Sequence, residues 1–322
     1  MSKKMTEYEK FLQKRHSQFN TDQELIKHAV KYATESSIEK QERIVGGEAN
    51  EVYKISTLSN KQIYVKIMHD RKYPLLREKW AIDQCKKYNV PVPQIQYVKQ
   101  MKRNGKLLTI SVQEEVEGIP LSTLEKSDPS EKLHHYTILA GKTLAKIHSI
   151  LTKGYGKING NGEGYYRTNS EAMQEPLESI DDIEKASDRA KIDVQLVHRL
   201  IQEYKQSIVH IGTIMPRLLH HDYGIDHIFI KNHAISGIID FGDCGSGDPV
   251  LDLVRWTYFT KPKFPVQLLI EGYEQRVPIK KLYEKRRRVY LIYLNLQHLL
   301  YYYWDNNVVG LAHVKKKIEE LQ

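Results

Sequence analysis

Only two of the 322 residues are cysteine, Cys85 and Cys244, which excludes a disulfide framework and a cysteine-rich zinc module. No apolar run approaches the ~20 residues that a membrane-spanning helix requires. The N-terminus, MSKKMTEYEKFLQKRHSQ, is basic but has no apolar segment behind it, so it does not read as a signal peptide. No internal repeat occurs. Hydrophobic residues at 40% and charged residues at 28% exclude a chain disordered throughout. The expectation is a cytoplasmic globular monomer with no membrane partner. Its length suits one large domain or two lobes.

The formal net charge is +9, which invites a nucleic-acid partner until it is sorted by segment. Residues 1–43 carry +2, residues 44–118 carry +5, residues 119–260 carry −4 and residues 261–290 carry +6. The excess is split between separate stretches around an acidic middle, and no nucleic-acid-binding signature accompanies it. The run Lys285-Arg286-Arg287-Arg288 reads as a solvated helix face. No nucleic-acid partner is expected.

The first 40 residues read as helical, with Leu25, Ile26, Ala29, Val30 and Ala33 at helix spacing after a cap at Thr21 or Asp22. From Ile44 the pattern changes. GGEAN (46–50) is a turn ahead of the strand EVYKIST (51–57). In the next strand, IYVKIM (63–68), Ile63, Val65 and Ile67 share one face while Tyr64, Lys66 and Met68 share the other. Pro74 suits a helix start, and a helix runs over 75–88. An extended segment (89–98), a hairpin signal at RNG (103–105) and the strand LLTISVQE (107–114) follow. After Gly118 the chain turns mainly helical, with a glycine-rich loop at 153–164. Strands first and helices afterwards give an α+β arrangement.

The densest signal lies at 217–255. Two short strands, 228–230 and 237–239, joined through Asn232 and His233, would bring Asp222, His227 and Asp240 to one end of the pair. Polar side chains converging beside apolar strands suit a catalytic site with a divalent ion. The elements HHD (220–222), His227, IIDFGD (238–243) and GDPVLDL (247–253) resemble the catalytic core of the aminoglycoside phosphotransferase family. In motif wording they are closest to the aminoglycoside 2″-phosphotransferases and macrolide kinases. The resemblance covers about residues 44–300.

That resemblance implies a protein-kinase-like two-lobe α+β fold: a small antiparallel sheet with one helix, then a mainly helical lobe. The expected divisions are a helical extension (1–43), a nucleotide-binding lobe (44–116) and a helical lobe (117–322) holding the catalytic core and the acceptor site. Asp222 would be the catalytic base. Asp240 and His227 would hold Mg2+; most of the family has Asn in place of His227, whose nitrogen suits magnesium less than oxygen does. Lys66 would reach the phosphates of ATP or GTP, with Glu78 as its ion-pair partner. Asn50 in the turn and Glu114 and Val116 in the segment QEEVEG (113–118) would complete the nucleotide contacts. Asp243, Asp226 and Trp256 are candidates for substrate or supporting contacts. Asp248 and Asp252 read as structural, tying the catalytic loop to the following helix.

GlyLysThr at 141–143 resembles the end of a phosphate-binding loop, but Tyr136 stands where that motif needs glycine, so it reads as helix. The segment 171–193 holds eight acids and three bases. It is either a solvated acidic helix or a surface for a polycationic acceptor. The aromatic cluster TyrTyrTyrTrp (301–304) reads as core, with Trp256, Tyr258, Tyr301 and Trp304 as the alternative lining of the acceptor pocket. The implied function is transfer of the γ-phosphate to a small-molecule hydroxyl: an antibiotic, with an aminoglycoside ahead of a macrolide. The alternatives are a metabolic kinase of choline, sugar or amino-alcohol type, and a kinase-like scaffold without turnover.

Overall fold

The structure, a computed structural model, describes residues 5–47, 50–69, 74–103, 105–211, 213–260 and 262–322. In chain order it opens with α1 (Glu7–His16), α2 (Gln23–Thr34), β1 (Ile38–Ile44), β2 (Glu51–Thr57), β3 (Gln62–His69) and α3 (Pro74–Lys87). Next come β4 (Ile95–Arg103), β5 (Lys106–Glu114), β6 (Ile119–Pro120), α4 (Leu121–Leu124), α5 (Ser130–Ile147), β7 (Tyr155–Ile158) and β8 (Gly164–Tyr166). Helices α6 (Asn169–Gln174), α7 (Ile180–Ala190) and α8 (Val194–Ile208) lead to β9 (Arg217–Leu219), β10 (Ile228–Lys231), β11 (Ala234–Ile238) and β12 (Gly245–Gly247). The chain ends in α9 (Val250–Phe259), α10 (Val266–Glu274), α11 (Lys280–Trp304) and α12 (Val308–Glu319). Among the described residues no helix is long and apolar enough to cross a membrane.

The chain divides into two compact units. The first holds residues up to Leu121 together with Asn159–Gly162 and Asp226–Asp243. Its five-stranded antiparallel sheet has the order β1-β2-β3-β5-β4. The alternation read from the sequence holds. Ile63, Val65 and Ile67 join Ile110 and Val112 in a core closed by Ile26, Ala29 and Val30 of α2. The opposite face carries Lys66, paired in register with Ser111. Hence the apolar period of the strands decides which face receives α2 and which is left for charged chemistry. Two further strands, β10 and β11, meet at Lys231 and Ala234, and Asn232 and His233 both adopt left-handed backbone there (φ 50° and 62°). This is the tight hairpin geometry expected of the sequence. β6 adds to the far side of β10. Gly118, at φ 121°, makes that approach possible, because a Cβ there would lie 2.6 Å from the Ile230 carbonyl oxygen.

Three expectations need correction. The first 40 residues are not all helical: β1 begins at Ile38 and pairs with β2, and the polar run between Ile38 and Ile44 suits an edge strand. The 153–164 stretch is not only loop: β7 pairs with β8, and β7 also pairs with β12. The basic run is not simply solvated. Arg286 reaches the buried carboxylate of Asp248 at 2.9 Å, and Arg288 pairs with Glu203. Of the two turns named from the sequence, Glu48 and Ala49 in one and Asn104 in the other lie outside the described residues.

The second unit, Ser122–Ile158, Glu163–Ile225 and Cys244–Gln322, is built mainly of helices. Its tightest joint is the crossing of α5 and α10. A Cβ on Gly141 would lie 1.9 Å from the Leu269 carbonyl oxygen, and one on Gly272 would lie 1.9 Å from that of Ile138. The glycine of GlyLysThr thus lets two backbones touch within a helix pair. Gly141→Ala should lower the unfolding free energy by at least about 1–3 kcal/mol, the usual cost of overpacking. A urea titration would read it as a lower midpoint at unchanged slope.

Candidate active site

Within the first unit the chemistry gathers on Lys66. β3 sets Lys66 on the face away from the α2 core, and the second turn of α3 sets Glu78 opposite it. Lys66 Nζ lies 2.7 Å from Glu78 Oε1 and 3.2 Å from Asp240 Oδ1. Lys66 and Glu78 are both buried, and Asp240 is about one-third exposed. Burial opposes the charge on Lys66. The adjacent carboxylates, Asp240 first and Glu78 second, outweigh burial and hold its pKa above the ordinary lysine value. One ammonium is shared between two carboxylates, and burial pushes the Glu78 carboxyl above the ordinary glutamate value. Glu78 Oε2 is also buried without a hydrogen-bond partner.

Asp240 lies two residues past the end of β11 and adopts left-handed backbone, φ 68°. The Ile239 N–H donates to the His227 carbonyl oxygen at 3.1 Å, which closes the open end of the β10–β11 hairpin. His227 Nε2 stands 3.8 Å from Asp240 Oδ2. A partly exposed carboxylate offers the oxygen that a hard divalent cation takes while it keeps part of its water. The imidazole is a poorer match for magnesium.

Arg77 was not singled out by sequence reasoning, although it is the neighbour of Glu78. It is buried; its Nε donates to the Gly242 carbonyl oxygen at 2.6 Å, and its Nη2 lies 3.6 Å from Asp243. α3 therefore grips the turn Phe241–Asp243 while also presenting Glu78 to Lys66. The other expected residues are placed as follows. Asn50 precedes β2, and its Oδ1 is buried without a partner. Glu114 ends β5 with an exposed side chain, its N–H donating to Gln94. Val116 packs so closely on β11 that a Cβ on Gly237 would lie 2.2 Å from its Cγ1. Asp226 and Asp243 are exposed.

Within the second unit the centre is Asp252, on the first turn of α9 and fully buried. Its Oδ2 accepts the His220 N–H at 2.7 Å and its Oδ1 the His221 N–H at 2.9 Å. His148 Nε2 reaches it at 3.1 Å, and His148 Nδ1 meets the Tyr273 hydroxyl at 3.1 Å. Burial alone would raise this carboxyl. The His148 hydrogen bond and the neighbouring histidines reverse that and hold it well below the usual carboxylate range. The reading of Asp252 as a tie between loop and helix agrees with this geometry. His148 lay in a stretch quoted for the family resemblance, but sequence reasoning gave it no role.

The loop that Asp252 holds carries Asp222. His221 takes left-handed backbone at φ 62°, His220 is fully buried, and the Asp222 N–H donates to His220 Nδ1 at 3.2 Å. The Tyr223 hydroxyl donates to the Ala140 carbonyl oxygen at 2.8 Å. Anchors on both sides of Asp222 are buried, and Asp222 itself is exposed.

Trp256 is corrected. It is 1% exposed, its indole N–H donates to the Phe264 carbonyl oxygen at 3.0 Å, and it packs on Tyr223 and Phe264. It is a core residue that supports the Asp222 loop and has no surface for substrate. Tyr258 is likewise buried, whereas Tyr301 and Trp304 are exposed. Several acids of 171–193 have local partners. Glu171 completes the cap of α6, Asp193 caps α8, Glu184 meets His198, and Asp182 meets Lys185 and Trp304.

Comparison with known proteins follows these sites. The model of the phosphotransferase enzyme family matches residues 40–287. The chain belongs to that family and is a small-molecule kinase of protein-kinase-like fold. Solved structures agree on the fold. A thermostable mutant of aminoglycoside phosphotransferase APH(4)-Ia, in ternary complex with AMP-PNP and hygromycin B, superposes with a TM-score of 0.72 at 15% identity, covering 88% of this chain and 94% of that one. The GDP and kanamycin complex of APH(2")-IIia gives 0.64 at 16%, covering 92% and 98%. Amicoumacin kinase hAmiN, in complex with AMP-PNP, Ca2+ and Ami, gives 0.62 at 16%, covering 96% of each chain. A comparison with curated proteins finds no match.

Two predictions follow from these anchors. Asp252→Asn should cost about 3–5 kcal/mol, because it breaks a buried charge network from one side. Since the folded carboxyl has the lower pKa, the wild-type contribution is present above the ordinary carboxylate range and lost as pH falls; urea titrations at pH 7 and pH 4 should show the variant gap narrowing. Arg77→Met should lower phosphotransferase turnover about 10- to 100-fold, as expected when a reacting group shifts by about 1 Å. Single-turnover kinetics at saturating nucleotide would measure it.

Proposed function

We propose that the chain transfers the γ-phosphate of ATP or GTP to a hydroxyl of a small molecule, with Mg2+, and that the acceptor is an antibiotic. The observation that carries this reading is the buried Lys66, shared at 2.7 and 3.2 Å between Glu78 and Asp240. Phosphoryl transfer demands positioning and charge neutralisation more than covalent chemistry. A lysine held charged by two carboxylates can neutralise phosphate oxygens without having to find its position during the reaction. Asn50 and the turn before it would cover the phosphates, and the backbone near Glu114 and Val116 would meet the purine edge. Asp240 would hold the magnesium ion, with His227 beside it. When bound, the ion would offset charge on the phosphate oxygens.

Asp222 would accept a hydrogen bond from the acceptor hydroxyl and take its proton as the phosphate leaves the nucleotide. Its loop is anchored by Asp252 and Tyr223 while its carboxylate stays exposed, which suits a base that must meet a diffusing substrate. The solved relatives named above were captured with hygromycin B, kanamycin and Ami, which supports an antibiotic acceptor. An aminoglycoside stands first. The local partners of the acids in 171–193 favour a second reading, an acceptor of lower positive charge such as a macrolide or a metabolic alcohol.

Asp222→Asn should reduce turnover by about 10²–10⁴ while leaving nucleotide affinity within about twofold. Assay of the purified chain with ATP and GTP against aminoglycosides and macrolides, paired with a resistance panel in a sensitive host, would check both points. Undiminished turnover in the variant would overturn the role of Asp222. Nucleotide binding without phosphorylation of any antibiotic would move the acceptor to the metabolic class.

A further inference from the structure

The N-terminal helices precede residue 40, where the family match begins. α1 starts with a capping box between Thr6 and Glu9 and ends at His16, which is buried. His16 Nε2 lies 2.7 Å from the carbonyl oxygen of Gly47, three residues past the end of β1. Arg43, on β1, donates to the His16 carbonyl oxygen at 2.7 Å and stands 4.0 Å from Glu51. Glu51 opens β2 directly after Asn50 and is fully buried. It accepts from the Thr21 hydroxyl at 2.5 Å, the Tyr53 hydroxyl at 2.6 Å and His69 Nε2 at 3.1 Å. Phe19 stacks on the His69 ring at 5.4 Å, and the His16 ring meets Phe19 edge-on at 5.3 Å.

These contacts grip the turn from two sides. One is the His16 bond to Gly47; the other is the Glu51 carboxylate, which ties the first residue of β2 to Thr21. A buried carboxylate is tolerated only when it is fully engaged, and Glu51 is engaged by groups on either side of the turn. Hydrogen bonds internal to α1 would have sufficed to finish that helix. The His16 side chain instead spends its donor on a carbonyl 31 residues away.

We infer that Thr6–Thr21 is a brace that sets the positions of Gly47 and Glu51, with His16 and Thr21 as positioning residues for nucleotide affinity; this rests on the reading of residues 46–50 as the phosphate cover. The brace leaves the Lys66 face of the sheet open, since Glu51 and Lys66 sit on opposite faces of adjacent strands. It holds Gly47 and Glu51 from the face opposite Lys66.

The test uses the full chain with His16→Phe, which keeps a ring against Phe19 but lacks the donor, and His16→Gln, which restores one. Dissociation constants for ATP and GTP with magnesium are measured by calorimetry, and amide hydrogen exchange is followed at Gly46, Gly47 and Asn50. His16→Phe should raise the nucleotide dissociation constant about 3- to 10-fold, the worth of one hydrogen bond, and speed exchange at those amides. His16→Gln should recover both. A role in stability alone would lower the melting temperature and leave affinity in the folded protein unmoved, which would overturn the inference. Unchanged exchange in His16→Phe would overturn it too. If His16→Phe fails to fold, Thr21→Val, of nearly equal volume, removes the hydroxyl on Glu51 and must move affinity and exchange in the same direction for the brace to stand. A wild-type chain that binds neither ATP nor GTP would overturn the phosphate-cover reading and the affinity role with it, while the exchange data would still decide whether Thr6–Thr21 holds the turn.

Discussion

A single ammonium shared between two carboxylates is the constraint around which the first unit is arranged. Burying Lys66 without partners would cost several kcal/mol and would be avoided by loss of its proton. Glu78 and Asp240 remove that option, but the three groups come from three places: a strand, a helix and the segment just past a hairpin. The demand propagates outward. β3 needs one apolar face to seat on α2 so that the other can present Lys66. α3 needs a start at Pro74 that puts Glu78 one turn in. The β10–β11 hairpin needs its tight turn so that Asp240 emerges beside His227.

The second unit solves a different problem with related means. Here the group to be presented is a carboxylate in a loop, and loops are positioned only as well as their backbone is held. Asp252 holds two consecutive amides of that loop with one carboxylate, and His148 and Tyr273 hold Asp252 in turn. The same helix is fixed at its start by Asp248, whose carboxylate takes the Val250 N–H, the Tyr290 hydroxyl and Arg286. The aspartates of GDPVLDL thus face in two directions: one fastens the helix to α11 and the other fastens the loop to the helix.

Much of this was legible in the sequence, and the reasons are specific. Strand alternation assigned Lys66 a face, while its pairing with Glu78 was implied by the resemblance to the aminoglycoside phosphotransferase family. Asp222 and Asp240 were legible because they stand in one dense stretch at characteristic spacing. Arg77 was not legible: a charged residue beside Glu78 on a helix rich in charge carries no sign that it is buried, and its partner, the Gly242 carbonyl, lies 165 residues away. The basic run at 285–288 was misread for the same reason, since the buried Asp248 that recruits Arg286 is remote in sequence. Trp256 was misread because proximity to a motif says nothing of orientation. Its indole is satisfied by Phe264 and its face by Tyr223. His16 had no visible role because its partner is a backbone carbonyl, to which the sequence gives no signal.

The two units share one device. Asp240 and His221 are both non-glycine residues in left-handed backbone, a conformation worth about 1–3 kcal/mol of strain in such positions. Strain of that size persists only where neighbouring bonds leave no alternative. Beside Asp240 the restraint is Arg77, which holds the Gly242 carbonyl, together with the Ile239 to His227 backbone bond. At His221 it is Asp252, which takes the amide of the strained residue itself. In each case the restraining side chain is buried and the presented carboxylate, Asp240 or Asp222, keeps solvent exposure. A carboxylate must be reachable to do chemistry yet cannot be allowed to wander, and a side chain alone cannot meet both demands. Transferring the restraint to the backbone on one side keeps each carboxylate in place while it stays reachable, as the roles proposed for Asp222 and Asp240 require.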